Sequence, residues 1–178
     1  MPMNNTARIC LFAAALLAVT GCAENMDDRI DLIVEGDYVV TMDEPGTIIP
    51  NGAVAIDDGT ILAIGAAADI HSNYSAVETL NGDRRIVMPG LVNGHSHAAM
   101  TLLRGVADDL ALMDWLNNYI FPAEVEFVDA EFVRIGTELA CWEMIRGGTT
   151  TFVDMYYYPD TIADVVVSCG MRALISAT

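Results

Sequence analysis

The sequence predicts an α/β chain in two parts: a small antiparallel β lobe, then the opening strands and helices of a parallel sheet. Three observations carry this. Before position 89, short β-rich runs follow one another closely, with turn signals between them. After it, apolar runs of strand length alternate with helix-period segments, the pattern of strand–helix–strand crossovers. At the junction, Pro89-Gly90 breaks the chain, and Leu91-Val92 opens a short apolar run that ends in His95-Ser96-His97. An apolar run bounded by turn residues reads as a buried strand.

The chain has 178 residues, 53% of them hydrophobic, enough for a buried core and one or two small domains. Its formal net charge is −17, from 8 basic and 25 acidic residues, and every basic residue is Arg. Such acidity argues against nucleic acid and anionic membrane surfaces as partners.

Residues 1–21 read as a signal peptide. Arg8 precedes an apolar run from Ile9 to Val19, too short to span a bilayer and right for a signal-peptide core. Val19-Thr20-Gly21-Cys22 resembles the lipobox of bacterial lipoproteins, which implies acylation of the Cys22 thiol at a new N-terminus. Ala23 in the next position resembles outer-membrane sorting in Gram-negative bacteria. The expected location is therefore the cell envelope, lipid-anchored and facing the periplasm. An ordinary secretory signal, or an unused leader on a cytoplasmic enzyme, stays open. Residues 22–28 form an acidic tether.

Residues 29–88 are expected to form the β lobe. Leu32-Ile33-Val34 and Tyr38-Val39-Val40 are separated by a turn signal, and Asp57-Asp58-Gly59 joins Ala53–Ile56 to Thr60–Ile64 as a hairpin whose turn residues tolerate positive φ. His71 falls after Gly65 and reads as a surface residue, not a ligand. From position 89 the strand reaching His97 is expected to turn into a short helix over Met100–Leu103, closed by Arg104-Gly105. Asp108 or Asp109 then caps a helix with Leu112, Leu116 and Ile120 on one stripe, which Pro122 ends. Asp129 starts a long helix with Phe132, Ile135, Leu139 and Trp142 as its buried face, and Gly147-Gly148 stop it. Thr149–Val153 is the next strand, with Asp154 at its end as a structural cap or a catalytic part. Tyr156–Pro159 is a loop, Thr161–Cys169 a helix, and Met171–Ile175 a third strand. Cys141 and Cys169 are expected to be free thiols packed as small hydrophobes; a disulfide in an oxidising compartment stays open.

His95 and His97 carry the chemistry. Side chains two apart on a strand point the same way, about 7 Å apart, so two imidazoles can aim at one metal ion. Two structural histidines bonded to backbone would look the same. Met-Pro-Gly-Leu-Val-Asn-Gly-His-Ser-His, continued by AAMTLLRGVADDLALMDWL and FPAE, resembles the first barrel strand of the metal-dependent amidohydrolase superfamily. The branch it resembles holds the methylthioadenosine/S-adenosylhomocysteine deaminases and the triazine chlorohydrolases.

That resemblance implies a (β/α)8 TIM-type barrel, of which this chain carries the first two to three strands, inserted into a β-sandwich lobe built from both chain ends. It implies one zinc ion, or iron, with His95 and His97 as ligands. Further ligands and the general base would come from later strands, so no catalytic base is expected within this chain, read as the N-terminal portion of a longer protein. Glu124 matches the acid that binds the two ribose hydroxyls in adenosine-deaminating relatives, and Trp115 matches a Trp that walls the pocket. A solvated or capping Glu124 and a core Trp115 are the plainer readings. Arg104 is expected to tie the loop by bidentate pairing with a carboxylate, or to lie free on the surface.

The function implied is hydrolysis of a carbon–nitrogen bond other than a peptide bond, as deamination of an adenosine-type nucleoside. Triazine chlorohydrolase, guanine or cytosine deaminase, and an inactive envelope lipoprotein fragment are the alternatives.

Overall fold

A computed structural model describes residues 28–177. The predicted signal peptide and all but the last residue of the tether, Cys22 included, lie outside the described residues.

The first part is one mixed sheet. Strands β1 (Ile30–Val40), β2 (Ile48–Asp57) and β3 (Thr60–Ala66) form an antiparallel meander. The β2–β3 turn carries Asp58 at φ 46° and Gly59 at φ 67°, the positive angles a tight hairpin requires. After helix α1 (Ala67–Asn73), strands β4 (Ala76–Leu80) and β5 (Ile86–Val87) both run parallel to β1. The expected antiparallel sandwich is thus corrected to a single five-stranded sheet among the described residues, order β3-β2-β1-β4 with β5 also on β1. The helical crossover is what allows a returning strand to lie parallel. Ile30, Ile33, Ala53, Ala55 and Ile70 form its core.

The second part is a parallel sheet, β6 (Leu91–Ser96), β7 (Thr149–Tyr156) and β8 (Arg172–Ala177), in sequence order. It holds three neighbouring strands, and the barrel is not closed. Helices α4 (Ala130–Arg146) and α5 (Pro159–Cys169) connect the strands and cover one face. Asp129 caps α4 by accepting from the Phe132 amide at 2.8 Å, and Gly147 closes it. A buried cluster of Ala98, Val133, Ala140, Phe152, Ile162 and Val165 joins these layers.

Five expectations need correction here. On α4 only Phe132 of the predicted face packs against the core; Ile135, Leu139 and Trp142 are exposed. The buried face is Val133, Gly136, Thr137, Ala140 and Cys141, because small side chains let neighbouring backbone approach. Neither Asp108 nor Asp109 caps the next helix. Its N-cap is Ala111, with no side-chain bond, while Asp109 takes φ 66° in the turn before it. Pro122 does not end that helix: α2 (Leu112–Trp115) runs through a π turn (Leu116–Ile120) into α3 (Phe121–Phe127), with Pro122 in the first turn of α3. A proline crowds the carbonyl four residues earlier, here Asn118, and the wider π turn lies at that place. The altered phase leaves Leu112 65% exposed while Ile120 is 1% exposed, so the predicted stripe is not one buried face. Finally, Tyr156 is the last residue of β7 rather than a loop residue, and α5 begins at Pro159.

Candidate active site

The site gathers at the C-terminal end of β6 and β7, the end where parallel barrels carry their chemistry. His95 lies in β6 and His97 just beyond it. Their rings stand edge to face with centroids 5.3 Å apart, so the strand brings the two imidazoles together as the spacing predicts. His97 Nδ1 lies 2.7 Å from the Met155 carbonyl. A carbonyl can only accept, so Nδ1 donates, and it is Nε2 that carries the lone pair whenever the ring is neutral. A backbone carbonyl behind a histidine is the usual device that orients a metal-binding ring.

Asp154 is buried on β7 beside this pair. Its Oδ1 accepts from the Ala98 amide at 2.9 Å and lies 3.2 Å from Ser96 Oγ, whose one proton also has the Val153 carbonyl at 2.8 Å. Its Oδ2 has no hydrogen-bond partner among the described residues. Burial pushes the Asp154 carboxyl above its ordinary value, against the hydrogen bonds from Ala98 and Ser96. Through Oδ1, Asp154 ties β7 to the 3₁₀ turn (Ala98–Leu103) that follows His97.

That turn is pinned to α4 twice. Thr101 Oγ1 donates to the Gly136 carbonyl at 2.9 Å. Arg104 grips Glu143 through both guanidinium nitrogens, at 2.9 and 2.6 Å, the bidentate pairing anticipated from sequence. Farther along, Trp115 Nε1 donates to the Val106 carbonyl at 3.0 Å, which fixes its indole at the edge of a cavity. Glu124 on α3 is 8% exposed, and its Oε1 accepts from the Tyr156 hydroxyl at 2.9 Å. Burial and the neighbouring Glu124 carboxylate raise the Tyr156 phenol well above its usual range.

A cavity of about 280 Å³ is lined by His97, Trp115, Ile120, Glu124, Met155 and Tyr156, and His95, His97 and Asp154 line a hollow of about 160 Å³ that shares His97 and Met155 with it. A larger hollow of about 410 Å³ lies at the other ends of the strands, by Pro89, Leu91 and Gly148, and no histidine lines it. The two histidines thus mark the C-terminal strand ends, not that larger hollow, as the candidate site. His71 sits apart, its Nε2 in contact with a Glu35 carboxylate oxygen on the β lobe. Among the described residues no cluster of three or more His, Cys, Asp or Glu could hold a metal by itself. Cys141 and Cys169 are free; burial pushes the Cys141 thiol up to about 12.

Sequence reasoning missed Tyr156 and the Met155 carbonyl. The signal for the first was present: Phe152, Asp154 and Tyr156 alternate along β7 and are all buried. A backbone carbonyl leaves no signal in residue identity.

Comparison with known proteins identifies the family. Residues 86–178 match the model of the Amidohydrolase family. The chain is 46% identical over 148 residues to the 5-methylthioadenosine/S-adenosylhomocysteine deaminase 1 of Syntrophus aciditrophicus, covering 83% of this chain and 33% of that protein. It is 50% identical over 143 residues to the 5'-deoxyadenosine deaminase of Methanosarcina barkeri, covering 80% and 32%. Its structure superposes with a TM-score of 0.80 on an adenosine deaminase from Xanthomonas campestris solved with bound zinc, at 44% identity, over 83% of this chain and 34% of that one. The chain spans about a third of the length of the curated relatives it matches. On the family match and the strand-end histidine pair together, the chain belongs to the amidohydrolase family.

Proposed function

We propose that the intact protein is a metal-dependent hydrolytic deaminase acting on an adenosine-type nucleoside such as methylthioadenosine or S-adenosylhomocysteine. The observation that carries this is the imidazole pair at the end of β6, with His97 Nδ1 held by a carbonyl and the buried Glu124 in the cavity that His97 also lines. The residues fit a metal: two imidazoles side by side, one already oriented through its other ring nitrogen. His95 and His97 would hold the ion, zinc ahead of iron; when bound, it acidifies water toward neutrality and so supplies the nucleophile. The zinc in the Xanthomonas relative supports that choice. Asp154 and Met155 fix the histidine-bearing segment, Trp115 walls the cavity, and Glu124 accepts from the ribose hydroxyls. The deaminase names of relatives at 46–50% identity support the nucleoside substrate.

The test is ammonia release by the intact gene product from methylthioadenosine, S-adenosylhomocysteine, guanine and a chlorotriazine. Nucleosides are expected to lead. Release from guanine, or chloride release from the triazine, without nucleoside turnover would move the protein to another activity. Glu124→Ala is expected to impair nucleosides far more than free bases, and equal impairment would remove the ribose role.

For location, the leader supports a lipid anchor at Cys22 in the envelope, facing the periplasm. No helix among the described residues is long and apolar enough to cross a membrane. Labelled palmitate is expected in the expressed precursor and absent from a Cys22→Ser variant; label in both would rule the anchor out.

A further inference from the structure

We infer that Tyr156 is a positioning residue for substrate selection: its hydroxyl holds one oxygen of Glu124 so that the other faces the paired hydroxyls of a ribose. The inference rests on the reading of Glu124 as a diol-binding acid.

Glu124 is 8% exposed, and the Tyr156 hydroxyl is the one donor to its carboxylate among the described residues. No basic side chain there forms an ion pair with it. A buried carboxylate without a fixed donor is free to turn about its last torsion, which is broad. With Oε1 committed, that freedom is lost, and Oε2 keeps its lone pairs for an incoming donor. A vicinal diol brings two donors at once, and a carboxylate of fixed plane meets them without paying the orientation entropy on binding.

Tyr156 is built to hold still. It ends β7, is 3% exposed, and meets Tyr157 edge-on with ring centroids 5.1 Å apart. The same short stretch of strand serves the rest of the site. Asp154 grips the turn after His97, the Met155 carbonyl orients the His97 ring, and Tyr156 orients Glu124. Three consecutive residues of β7 therefore set the relative position of the metal-ligand histidine and the sugar-selecting acid.

The experiment compares Tyr156→Phe with wild type in the intact protein, on methylthioadenosine and on the analogue lacking both ribose hydroxyls. The ring stays, and only the donor goes. Expected is a rise in KM for methylthioadenosine of about tenfold, the scale of one hydrogen bond to a charged group, with kcat within about twofold. KM for the analogue stays unchanged, and Glu124→Ala combined with Tyr156→Phe is no worse than Glu124→Ala alone. Equal losses on both substrates mark a merely structural tyrosine and overturn the inference, as does no loss on either. A wild type that cannot tell the two substrates apart overturns the Glu124 reading, and the Tyr156 role falls with it. A wild type that discriminates, beside a Tyr156→Phe variant that discriminates equally well, overturns the Tyr156 role alone. Should the variant not fold, a structure of wild type with bound nucleoside decides: the hydroxyl remains on Glu124 Oε1, and a hydroxyl turned to the ligand or to solvent overturns the inference.

Discussion

In the β lobe the buried cluster is Ile30, Ile33, Ala53, Ala55 and Ile70, and among the described residues no polar or charged side chain of that lobe is fully buried. In the barrel half, Glu124, Thr137 and Asp154 are buried, with Tyr156 beside them. The two histidine environments differ in the same way. His71 has a half-exposed side chain whose Nε2 is taken up by Glu35; His97 gives Nδ1 to a carbonyl and keeps Nε2 unengaged. Burying a polar group is costly unless its partners are in place. The lobe avoids that cost by keeping its polar contacts at the surface. The barrel half accepts it where ordered polar atoms are needed, so buried polarity, rather than histidine as such, marks the working half.

The largest expected effect tests that distinction directly. In the intact protein, His95→Ala and His97→Ala each take turnover to background and lower the metal content of the purified protein. His71→Ala leaves both within about twofold, the range of ordinary surface changes. Full metal content with normal turnover in either strand variant would end the metal-site reading; a loss in His71→Ala would erase the contrast between the halves.

The parts legible in the sequence are those fixed by local rules. The His95–His97 pair follows from strand alternation, the Asp58-Gly59 hairpin from positive φ, and the limits of α4 from Asp129 and Gly147. What stayed hidden depends on close approach. The bulky Ile135, Leu139 and Trp142 look like a core face, yet the core of α4 is built on Gly136, Thr137, Ala140 and Cys141. Hydrophobicity counts bulk, whereas packing at this face rewards its absence. The direction of β4 was illegible for a related reason, since a parallel return depends on where α1 docks. Tyr156 was hidden because an aromatic run before proline reads as a loop until the partner of its hydroxyl is known.

A second pair of variants sharpens the comparison with a smaller effect. A Cβ on Gly82 in the lobe would sit 1.8 Å from the Glu35 carbonyl oxygen, and one on Gly136 would sit 2.4 Å from the Ala99 carbonyl oxygen. Both obstacles are backbone and cannot rotate away. Gly82→Ala and Gly136→Ala are each expected to destabilise by about 3 kcal/mol, the upper end for overpacking. They part company in activity. Gly136→Ala pushes on the turn that follows His97 and lowers kcat/KM of the folded fraction, while Gly82→Ala leaves the folded fraction as active as wild type. Thermal melts paired with assays below the transition measure both. Equal activity losses would mean that strain in the lobe reaches the site and that the halves do not act separately.

The smallest effect concerns the clamp between Arg104 and Glu143, which ties the loop of the site to α4. Arg104 is 64% and Glu143 34% exposed, so water screens the pair and it adds little to stability at any one pH. Its pH dependence is the better probe. The hydrogen bond from Arg104, and then its charge, hold the Glu143 carboxyl below the ordinary carboxylate range. A depressed carboxylate adds stability that is fully present above the unfolded-state value and is lost as pH falls through the folded one. The gap in melting temperature between wild type and Arg104→Ala is therefore present at neutral pH, begins to close only below about pH 4.3, and closes also in high salt. A gap that survived both strong acid and high salt would show Arg104 working through the packing of its alkyl stem rather than through the clamp.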